Sequence, residues 1–296
     1  MARTLTLHSP AKLNLTLRVG GRQPSGFHDV RTVLQSIAIG DKLTVTGRRG
    51  PFALDVRGRG VPADRTNLVW RAAEALWRRA GRPGEPRDAH IRLAKSIPAG
   101  AGMGGGSANA AATLSALNVV WGLDRSRADL MALAGELGSD VPYFLCGGTA
   151  MGTGRGEEIY PLEDAPRLGV VVIKPSFSVS TGDAYGWLDA DRQAGAESRR
   201  RPPRSVDLGW ASGELTVDND LEAPVARRHP DIAVMVDACL SQGARVAAMT
   251  GSGSAVFGLF DGTAAARAAR KLQRPDWLVM VTRTLSRRES GRWMGL

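Results

Sequence analysis

Apolar and polar residues alternate along the first 45 residues of the chain, most clearly in the segments "RTLTLH", "KLNLTLRVGG" and "DKLTVTG". A period of two is typical of strands with one buried face, and the Gly, Pro and Asp residues between the segments indicate turns. A further strand is predicted for "AHIRLAKSIP", residues 89–98. We therefore expect the chain to begin with a β layer.

Two other segments of the first half have the apolar spacing of helices. The first is "TNLVWRAAEALWRRAG", residues 66–81, with Thr66 as the candidate N-cap and Gly81 as the C-terminal stop. The second begins at Ser126, whose capping box is completed by Asp129. The first half thus combines strands with helices.

The pattern changes after the glycine-rich "GTGRGEE", residues 152–158, which we interpret as a link between two domains. A strand, a helix, a strand–turn–strand unit, a helix and a strand then follow, in "RLGVVVIKP", "DIAVMVDACLSQG", "RVAAMTGSGSAVFGLF", "TAAARAARKLQR" and "WLVMVTRTL". This order favours a second α+β domain with a ferredoxin-like split βαβ layout. We expect one domain over residues 1–160 and another over residues 161–296.

The composition of the chain is that of a soluble globular protein. A chain of 296 residues with 43% apolar content is long enough to bury a large core. No apolar run approaches the roughly 18 residues of a membrane span, and the first residues lack the apolar stretch of a secretory signal. Cys146 and Cys239 are far apart, so neither a disulfide framework nor a zinc site is expected. These features predict a soluble, cytoplasmic protein.

The chain is basic, with 39 Lys and Arg against 29 Asp and Glu and a formal charge of +10. Arginines are concentrated in "ESRRRPPRS", residues 197–205, which we interpret as a solvated surface loop. No nucleic-acid recognition motif accompanies the charge. We therefore predict small anionic molecules as partners, with no nucleic acid and no membrane, and a monomer or homodimer.

The segment "PAGAGMGGGSA", residues 98–108, has five glycines in seven positions: Gly100, Gly102, Gly104, Gly105 and Gly106. Glycine permits positive φ and lets backbone N–H groups converge on a ligand without a Cβ in the way. If a helix opens at Gly105–Ser107 and continues through Trp121, its first-turn N–H groups and dipole face the same point. This arrangement predicts a phosphate site. A tight turn with close helix packing is the alternative interpretation.

The glycine pattern does not fit two common phosphate-binding classes. A Walker loop is excluded because no lysine precedes Ser107. A dinucleotide-binding fold is disfavoured because its glycine motif normally follows the first strand, whereas almost 100 residues precede this one.

Three segments resemble, in order and approximate spacing, the motifs of the GHMP kinase superfamily: "SPAKLNL" (9–15), "PAGAGMGGGSANAA" (98–111) and "TGSGSAVFG" (250–258). The resemblance covers nearly the whole chain. It implies a two-domain α+β fold with the active site in the cleft between the domains. The N-terminal domain is expected to be ribosomal-protein-S5-like, with a left-handed βαβ unit, and the C-terminal domain ferredoxin-like.

Within the superfamily, the opening "SPAKLNLTLRVGGRQPSGFHDVRTVLQSI" and the segment "LGSDVPYFLCGGTAMGTGRGEEI" (137–159) resemble members that act on a cytidine-diphosphate-linked polyol. Ser25-Gly26-Phe27-His28 is the part that points to this acceptor. The implied activity is ATP-dependent phosphorylation of the 2-hydroxyl of 4-diphosphocytidyl-2-C-methyl-D-erythritol, a step of the non-mevalonate (methylerythritol phosphate) route to isopentenyl diphosphate.

Two alternatives stay open at this point. The chain could phosphorylate another small alcohol, such as homoserine or mevalonate, or it could be a catalytically silent relative that only binds a ligand. Lys12 and Asp140, which correspond to the catalytic pair of the superfamily, are both present, and this argues against a catalytically silent protein. The Phe27-His28 pair argues against homoserine and mevalonate as acceptors.

The resemblance assigns roles by motif position. Lys12 and Asp140 correspond to the catalytic pair, and Asn14, on the same strand face as Lys12, could bond the acceptor. Mg²⁺ is expected, with Ser107 as a possible ligand. The site for the ATP phosphates is expected at Pro98, Ala99, Gly100, Ala101, Gly102, Met103, Gly104, Gly105, Gly106, Ser107 and Ala108.

The acceptor site is expected to hold a cytosine between Phe27 and Tyr185, with His28 at the edge of the base. Gly251 and Ser252 of the third motif are expected near the transferred phosphate. The alternatives are that the two aromatic residues belong to the core and that the third motif is a plain β-turn.

Three positions depart from the family pattern. Phe27 replaces a tyrosine, Ala108 replaces a serine and Asn109 replaces an aspartate. These departures put in doubt any ligand contact through the replaced side-chain groups.

Overall fold

The structure is a computed structural model that describes residues 3–24, 26–58, 60–196 and 215–296. Ser25 and the predicted surface loop at 197–205 lie outside the described residues. The strands are β1 (Thr4–Arg22), β2 (His28–Thr46), β3 (Ala53–Arg57), β4 (His90–Ala94), β5 (Thr149–Thr153), β6 (Glu158–Pro161), β7 (Gly169–Pro175), β8 (Asp218–Asn219), β9 (Val246–Met249), β10 (Val256–Phe260) and β11 (Trp277–Arg283). The helices are α1 (Leu68–Arg79), α2 (Gly105–Val120), α3 (Arg127–Leu137), α4 (Val141–Cys146), α5 (Thr181–Gln193), α6 (Glu222–Arg228), α7 (Asp231–Ser241), α8 (Ala264–Lys271) and α9 (Arg287–Met294).

The first sheet has seven strands, with β3-β4-β2-β1-β8 in order and β5 and β6 added beside β2. The predicted N-terminal β layer is confirmed, but "RTLTLH" and "KLNLTLRVGG" belong to one strand, because β1 and β2 are long and pair from Thr4↔Thr46 to Arg22↔His28. β1 continues through Pro10 because the register shifts between Pro10 and Ala11. Such a shift accommodates a residue that has no backbone N–H to donate.

Helices α1 to α4 pack on one face of this sheet and bury a core with Leu34, Leu43 and Ile91 of the strands. The capping box of α3 at Ser126 is confirmed. The N-cap predicted for α1 is wrong, because the Asn67 side chain accepts the Val69 N–H at 2.9 Å. The Thr66 hydroxyl instead donates to Asp64 at 2.6 Å.

The second sheet has the order β11-β7-β10-β9 with antiparallel neighbours, which confirms the ferredoxin-like prediction. β7 is buried on both faces. Its Val171 and Ile173 pack with the core under α5 to α8, while Val170 and Val172 pack toward the first sheet. Leu13 of β1 belongs to this second group, so a shared apolar layer joins the two sheets.

The segment 152–158 is not a link between domains, because it forms the turn of the β5–β6 hairpin in the first sheet. The chain reaches the second sheet at Gly169, but β8 returns to pair with β1. A boundary between residues 160 and 161 therefore stays a prediction. In the described ranges, no helix combines the length and apolar character needed to cross a membrane.

Candidate active site

A cavity of about 700 Å³ is lined by residues from both halves of the chain. Its wall contains parts of all three sequence motifs and of the 137–159 segment, together with the beginning of α5. Among its lining residues are all the predicted catalytic and acceptor-site residues: Lys12, Asn14, Phe27, His28, Asp140, Tyr185, Gly251 and Ser252. The fold thus brings these residues to one place.

Lys12 faces this cavity because side chains alternate along β1. Leu13 and Leu15 enter the layer between the sheets, so Lys12 and Asn14 point the other way. The Lys12 ammonium donates to Asn14 Oδ1 and lies 3.6 Å from Asp140 Oδ2. The Lys12 side chain is 4% exposed and that of Asp140 is 39% exposed. A buried cation is therefore paired with a carboxylate that is open to the cavity.

Asn14 is held by hydrogen bonds from both sheets. Its Nδ2 donates to Thr32 Oγ1 at 2.7 Å, and its backbone N–H donates to Thr250 Oγ1 at 3.0 Å. Because Asn14 Oδ1 accepts from Lys12, the observed contacts orient the lysine. A hydrogen bond from Asn14 to the acceptor stays a prediction. The second hydrogen on Nδ2 is the one that would make it.

Asp140 lies in the short turn between Gly138, which ends α3, and Val141, which begins α4. Burial raises the pKa of the nearby Tyr185 phenol, and the negative charges of Asp140 and Asp220 raise it further. The phenol therefore keeps its proton at neutral pH. Asp140 is the carboxylate that faces Lys12 and can accept a proton there.

The glycine-rich loop presents backbone to the cavity. Gly100, Gly102 and Gly104 have φ values of +63°, +70° and +69°, and all three line the cavity. Ala101 and Met103, which alternate with them, are buried in the layer between the sheets. Helix α2 begins directly afterwards, at Gly105, as predicted. Its unpaired first-turn N–H groups form the kind of end that binds anions.

The other end of the cavity carries aromatic side chains. Phe27 is 53% exposed, which excludes the alternative that it is a core residue. The guanidinium of Arg155 lies 5.3 Å from the Phe27 ring centroid. The half-buried Tyr185 ring lies 5.1 Å from that of His28, and His28 Nε2 lies 2.9 Å from Asp189 Oδ1.

The third motif forms the turn between β9 and β10 and contacts the glycine-rich loop. A Cβ at Gly251 would lie 2.9 Å from the Gly102 carbonyl oxygen and 3.2 Å from Lys12 Nζ. Asn219 Nδ2 donates to the Gly251 carbonyl at 2.8 Å, and the Ser252 hydroxyl lies 3.2 Å from that of Thr181. The motif is therefore part of the cavity wall, while its contact with a transferred phosphate stays a prediction.

Two family models match the chain: "GHMP kinases N terminal domain" over residues 67–148 and "GHMP kinases C terminal" over residues 204–275. The 4-diphosphocytidyl-2-C-methyl-D-erythritol kinase of Moorella thermoacetica is 42% identical over 286 residues, which cover 95% of this chain and 99% of that protein. The chain belongs to the GHMP kinase family.

Other GHMP kinases are also similar to this chain in sequence or in fold. The 4-diphosphocytidyl-2-C-methyl-D-erythritol kinase of Geobacter sulfurreducens is 37% identical, covering 96% of this chain and all of that protein. A crystal structure of 4-(cytidine 5'-diphospho)-2C-methyl-D-erythritol kinase superposes with a TM-score of 0.77 at 35% identity, covering 96% of this chain and 99% of that one. The L. major mevalonate kinase in complex with R-mevalonate has a TM-score of 0.68 at 13% identity, covering 96% of this chain and 97% of that one, and so shares the fold alone.

The glycines of this GHMP kinase loop also serve packing. A Cβ at Gly102 would lie 2.2 Å from the Thr250 carbonyl oxygen, and one at Gly104 would lie 2.8 Å from the Phe144 ring. The tight-turn interpretation therefore explains part of the glycine content. It does not explain why the intervening apolar side chains turn inward and leave backbone facing the cavity.

The two unusual residues of α2 lie away from the cavity. Ala108 is fully buried, and the buried Asn109 accepts a hydrogen bond from the Ser9 hydroxyl at 2.6 Å. A side chain at either position contacts the core rather than a ligand in this cavity. These departures from the family pattern therefore leave the cavity wall unchanged.

Asp41 holds the residues that immediately precede the glycine-rich loop, and the sequence analysis did not indicate this role. Its fully buried carboxylate accepts the N–H groups of Ser96 and Ile97 at 2.6 and 2.8 Å and pairs with Lys95. These contacts fix the direction of the chain just before Pro98. No local pattern around Asp41 indicates them, because its partners lie far away in sequence.

Several further lining residues were also missed: Arg22, Thr32, Arg155, Thr181 and Asp189. A signal was available for two of them. Thr181, Tyr185 and Asp189 are spaced by four residues, which places them on one face of a helix. Arg155 was missed because its segment was interpreted as a link.

Proposed function

We propose that this chain is a 4-diphosphocytidyl-2-C-methyl-D-erythritol kinase, which transfers the γ-phosphoryl group of ATP to the 2-hydroxyl of its acceptor. The observation that carries the proposal is one cavity with the Lys12–Asp140 pair at 3.6 Å, a glycine-rich backbone wall and an exposed aromatic side chain. The relatives that carry this name at 42% identity support it.

In this mechanism Asp140 accepts the proton of the attacking hydroxyl. Lys12 stabilises negative charge on the attacking oxygen and on the transferred group. Asn14 holds the ammonium in place through its Oδ1. Phosphoryl transfer depends mainly on positioning and electrostatic stabilisation, and a preformed buried cation beside the base supplies both.

The backbone N–H groups of the loop and the first turn of α2 would bind the β- and γ-phosphates of ATP. Among the described residues, no three His, Cys, Asp or Glu side chains form a group that could hold a metal ion by themselves. This fits Mg²⁺, which is commonly bound by few protein ligands together with substrate phosphates. The Ser107 hydroxyl, which lines the cavity, would contact it, and the ion would neutralise charge on the phosphates.

Phe27 and Tyr185 would stack on the two faces of the cytosine, with His28 at its edge. Stacking tolerates any base, whereas hydrogen bonds to the edge discriminate between bases. The exposure of Phe27 supports its availability for stacking. The replacement of tyrosine by Phe27 keeps the ring and removes only a hydroxyl.

We also propose that the product belongs to the methylerythritol phosphate route to isopentenyl diphosphate, as the names of the relatives suggest. The proposed location is the cytoplasm, since Cys146 and Cys239 are free buried thiols that suit a reducing compartment. The proposed partners are small molecules alone, without nucleic acid or membrane, and the proposed assembly is a monomer or homodimer.

The test is ADP formation by the purified protein with ATP and Mg²⁺. The panel of acceptors is 4-diphosphocytidyl-2-C-methyl-D-erythritol, homoserine and mevalonate, and the Asp140→Asn variant controls for contaminating kinases. We expect turnover with the cytidyl acceptor alone, and phosphorus NMR should place the new phosphate on the 2-hydroxyl. Efficient turnover of homoserine or mevalonate without the cytidyl acceptor would overturn the substrate assignment and leave the family assignment intact.

A further inference from the structure

His28 and Asp189 form a contact between two elements that are far apart in sequence. His28 is the first residue of β2 in the first sheet, and Asp189 lies on α5, which packs on the second sheet. His28 Nε2 lies 2.9 Å from Asp189 Oδ1, and the side chains are 7% and 27% exposed. Both residues line the cavity. The pair is therefore mostly buried but adjoins the space proposed for the acceptor.

The carboxylate determines which ring nitrogen carries a proton. An ionised carboxylate can only accept, so Nε2 must donate to it. In the neutral imidazole, Nδ1 is then a bare acceptor. Within the described part of the chain, Nδ1 has no hydrogen-bond partner and is not sealed from solvent. Because His28 lines the cavity, we infer that Nδ1 is available to accept a hydrogen bond from a ligand there.

Asp189 differs from the neighbouring aspartate on the same helix. Asp191 is bound by the guanidinium groups of Arg227 and Arg228, so its charge is committed to holding α5 and α6 together. Among the described residues, His28 is the hydrogen-bond and ion-pair partner of Asp189. The charge of Asp189 therefore acts on one imidazole at the edge of the cavity.

We propose that Asp189 is a positioning residue that makes the acceptor site selective for cytosine over uracil by fixing the proton on His28 Nε2. The inference rests on the proposed function. The only hydrogen-bond donor on the free edge of an N1-linked cytosine is its exocyclic amine, which suits a bare Nδ1. At the same ring position uracil carries a carbonyl oxygen, which would face a second acceptor. A site built for a donor rejects a ligand that lacks it, because its own polar group is left unpaired.

The kinetic test compares the 4-diphosphocytidyl acceptor with its 4-diphosphouridyl analogue in the wild-type enzyme, Asp189→Asn and Asp183→Asn. An amide at position 189 can either accept from or donate to Nε2, so the imidazole is no longer held in one tautomer. We expect Asp189→Asn to lower the cytidyl-to-uridyl ratio of kcat/KM by about 10-fold or more. The cytidyl KM should rise while the ATP KM stays the same. Asp183, in the first turn of the same helix, provides the matched control and should leave the ratio unchanged.

Nitrogen-15 NMR of the wild-type protein with labelled histidine tests the tautomer without any substrate. We expect the neutral imidazole of His28 to carry its proton on Nε2 and not on Nδ1, with the His28 signals identified by their loss in His28→Gln. A proton on Nδ1 instead overturns the inference even if no variant at position 189 folds.

The two proposals fail in different ways. Wild-type turnover of the cytidyl acceptor with an unchanged ratio in folded Asp189→Asn overturns the role of Asp189 alone. Absence of wild-type turnover overturns the proposed function, and the selectivity assigned to Asp189 is overturned with it.

Discussion

One end of the cavity is lined mainly by backbone and the other end mainly by side chains. At the end proposed to bind the ATP phosphates, here the phosphate end, Gly100, Gly102 and Gly104 turn backbone toward the cavity, while their apolar neighbours are buried. At the end proposed to bind the acceptor, here the acceptor end, the wall is made of side chains, with Phe27 exposed and His28 paired with Asp189. Between the two ends lies the Lys12–Asp140 pair.

This difference matches the chemistry proposed for each end. A triphosphate is recognised by its charge and by its many acceptor oxygens, which backbone N–H groups satisfy without side chains. A nucleobase is recognised by its faces and by the donors and acceptors of its edge, which only side chains or a matched backbone edge can supply. Adding a side chain should therefore damage the phosphate end, and removing one should damage the acceptor end.

The largest effect is expected between the ends, at Lys12 and Asp140, the proposed catalytic pair. Asp140→Asn should lower kcat by about 10² to 10⁴-fold, because the amide cannot accept the hydroxyl proton. Lys12→Met should behave similarly, since it leaves the carboxylate without its cation. Steady-state kinetics should give an ATP KM within about 3-fold of wild type if the charge acts on the reaction step. Near-normal turnover in both folded variants contradicts the assignment.

At the phosphate end, two Gly→Ala changes in one loop form a matched pair. In Gly102→Ala the new Cβ would lie 2.2 Å from the Thr250 carbonyl oxygen, at a residue with φ of +70°. The resulting shift should lower kcat/KM for ATP by about 10²-fold. In Gly106→Ala the Cβ would meet only Leu68 Cδ1, at 3.4 Å, so ATP kinetics should stay within about 2-fold and Tm should be equal or higher.

Circular dichroism of both variants separates unfolding from loss of binding. Normal ATP kinetics in a folded Gly102→Ala protein would show that this backbone position tolerates a side chain. Gly105→Val is a poorer probe, because a Cβ there would lie 3.0 Å from Ile97 Cγ2 and 3.1 Å from Lys95 Nζ.

At the acceptor end, Tyr185→Ala should raise the acceptor KM by about 10-fold, because one stacking face for the base is lost. The ATP KM should change little. Phe27→Tyr keeps the second ring and should stay close to wild type, which makes it a suitable companion. Equal increases of both KM values in Tyr185→Ala would mean that the residue supports the whole cavity rather than one end.

The smallest effect is expected at Asp191, which anchors the helix that carries Tyr185 and Asp189. The hydrogen bond from Arg228 lowers the pKa of Asp191 to about 2. Because the native pKa lies below the unfolded value of about 3.9, the contribution to stability is present above that value and is lost as the pH falls toward 2. Asp191→Asn should lower Tm by roughly 2–4 °C at pH 7.

Thermal unfolding of the wild type and Asp191→Asn as a function of pH gives the comparison. The Tm difference should shrink between about pH 4 and pH 2. A difference that stays constant over this range would mean that the ionised carboxylate is not its source.

Local patterns predicted much of the second half of the chain. The ferredoxin-like order of β7, β9, β10 and β11 followed from segments whose apolar spacing and turn residues are unambiguous. The α3 capping box and the start of α2 were likewise predicted. The N-cap of α1 was not predicted, because Thr66 and Asn67 are both good capping residues and the local hydrogen bond from Thr66 to Asp64 decides between them.

The length of β1 and β2 could not be predicted either. Pro10 indicates a break when only its neighbours are considered, but pairing with β2 along the whole strand outweighs one missing hydrogen bond. The β5–β6 hairpin was not predicted, because its glycines suit both a flexible link and a tight turn.

The sequence by itself determined the element order of the second sheet, the α3 capping box and the glycine-rich loop before α2, because each depends on neighbours a few positions apart. Only the tertiary structure decided that Lys12 meets Asp140, that Asp41 holds the residues before the loop and that Asp189 reaches His28. Such contacts join residues that are distant along the chain, and their geometry follows from how the two sheets and their helices pack. No local periodicity encodes that packing.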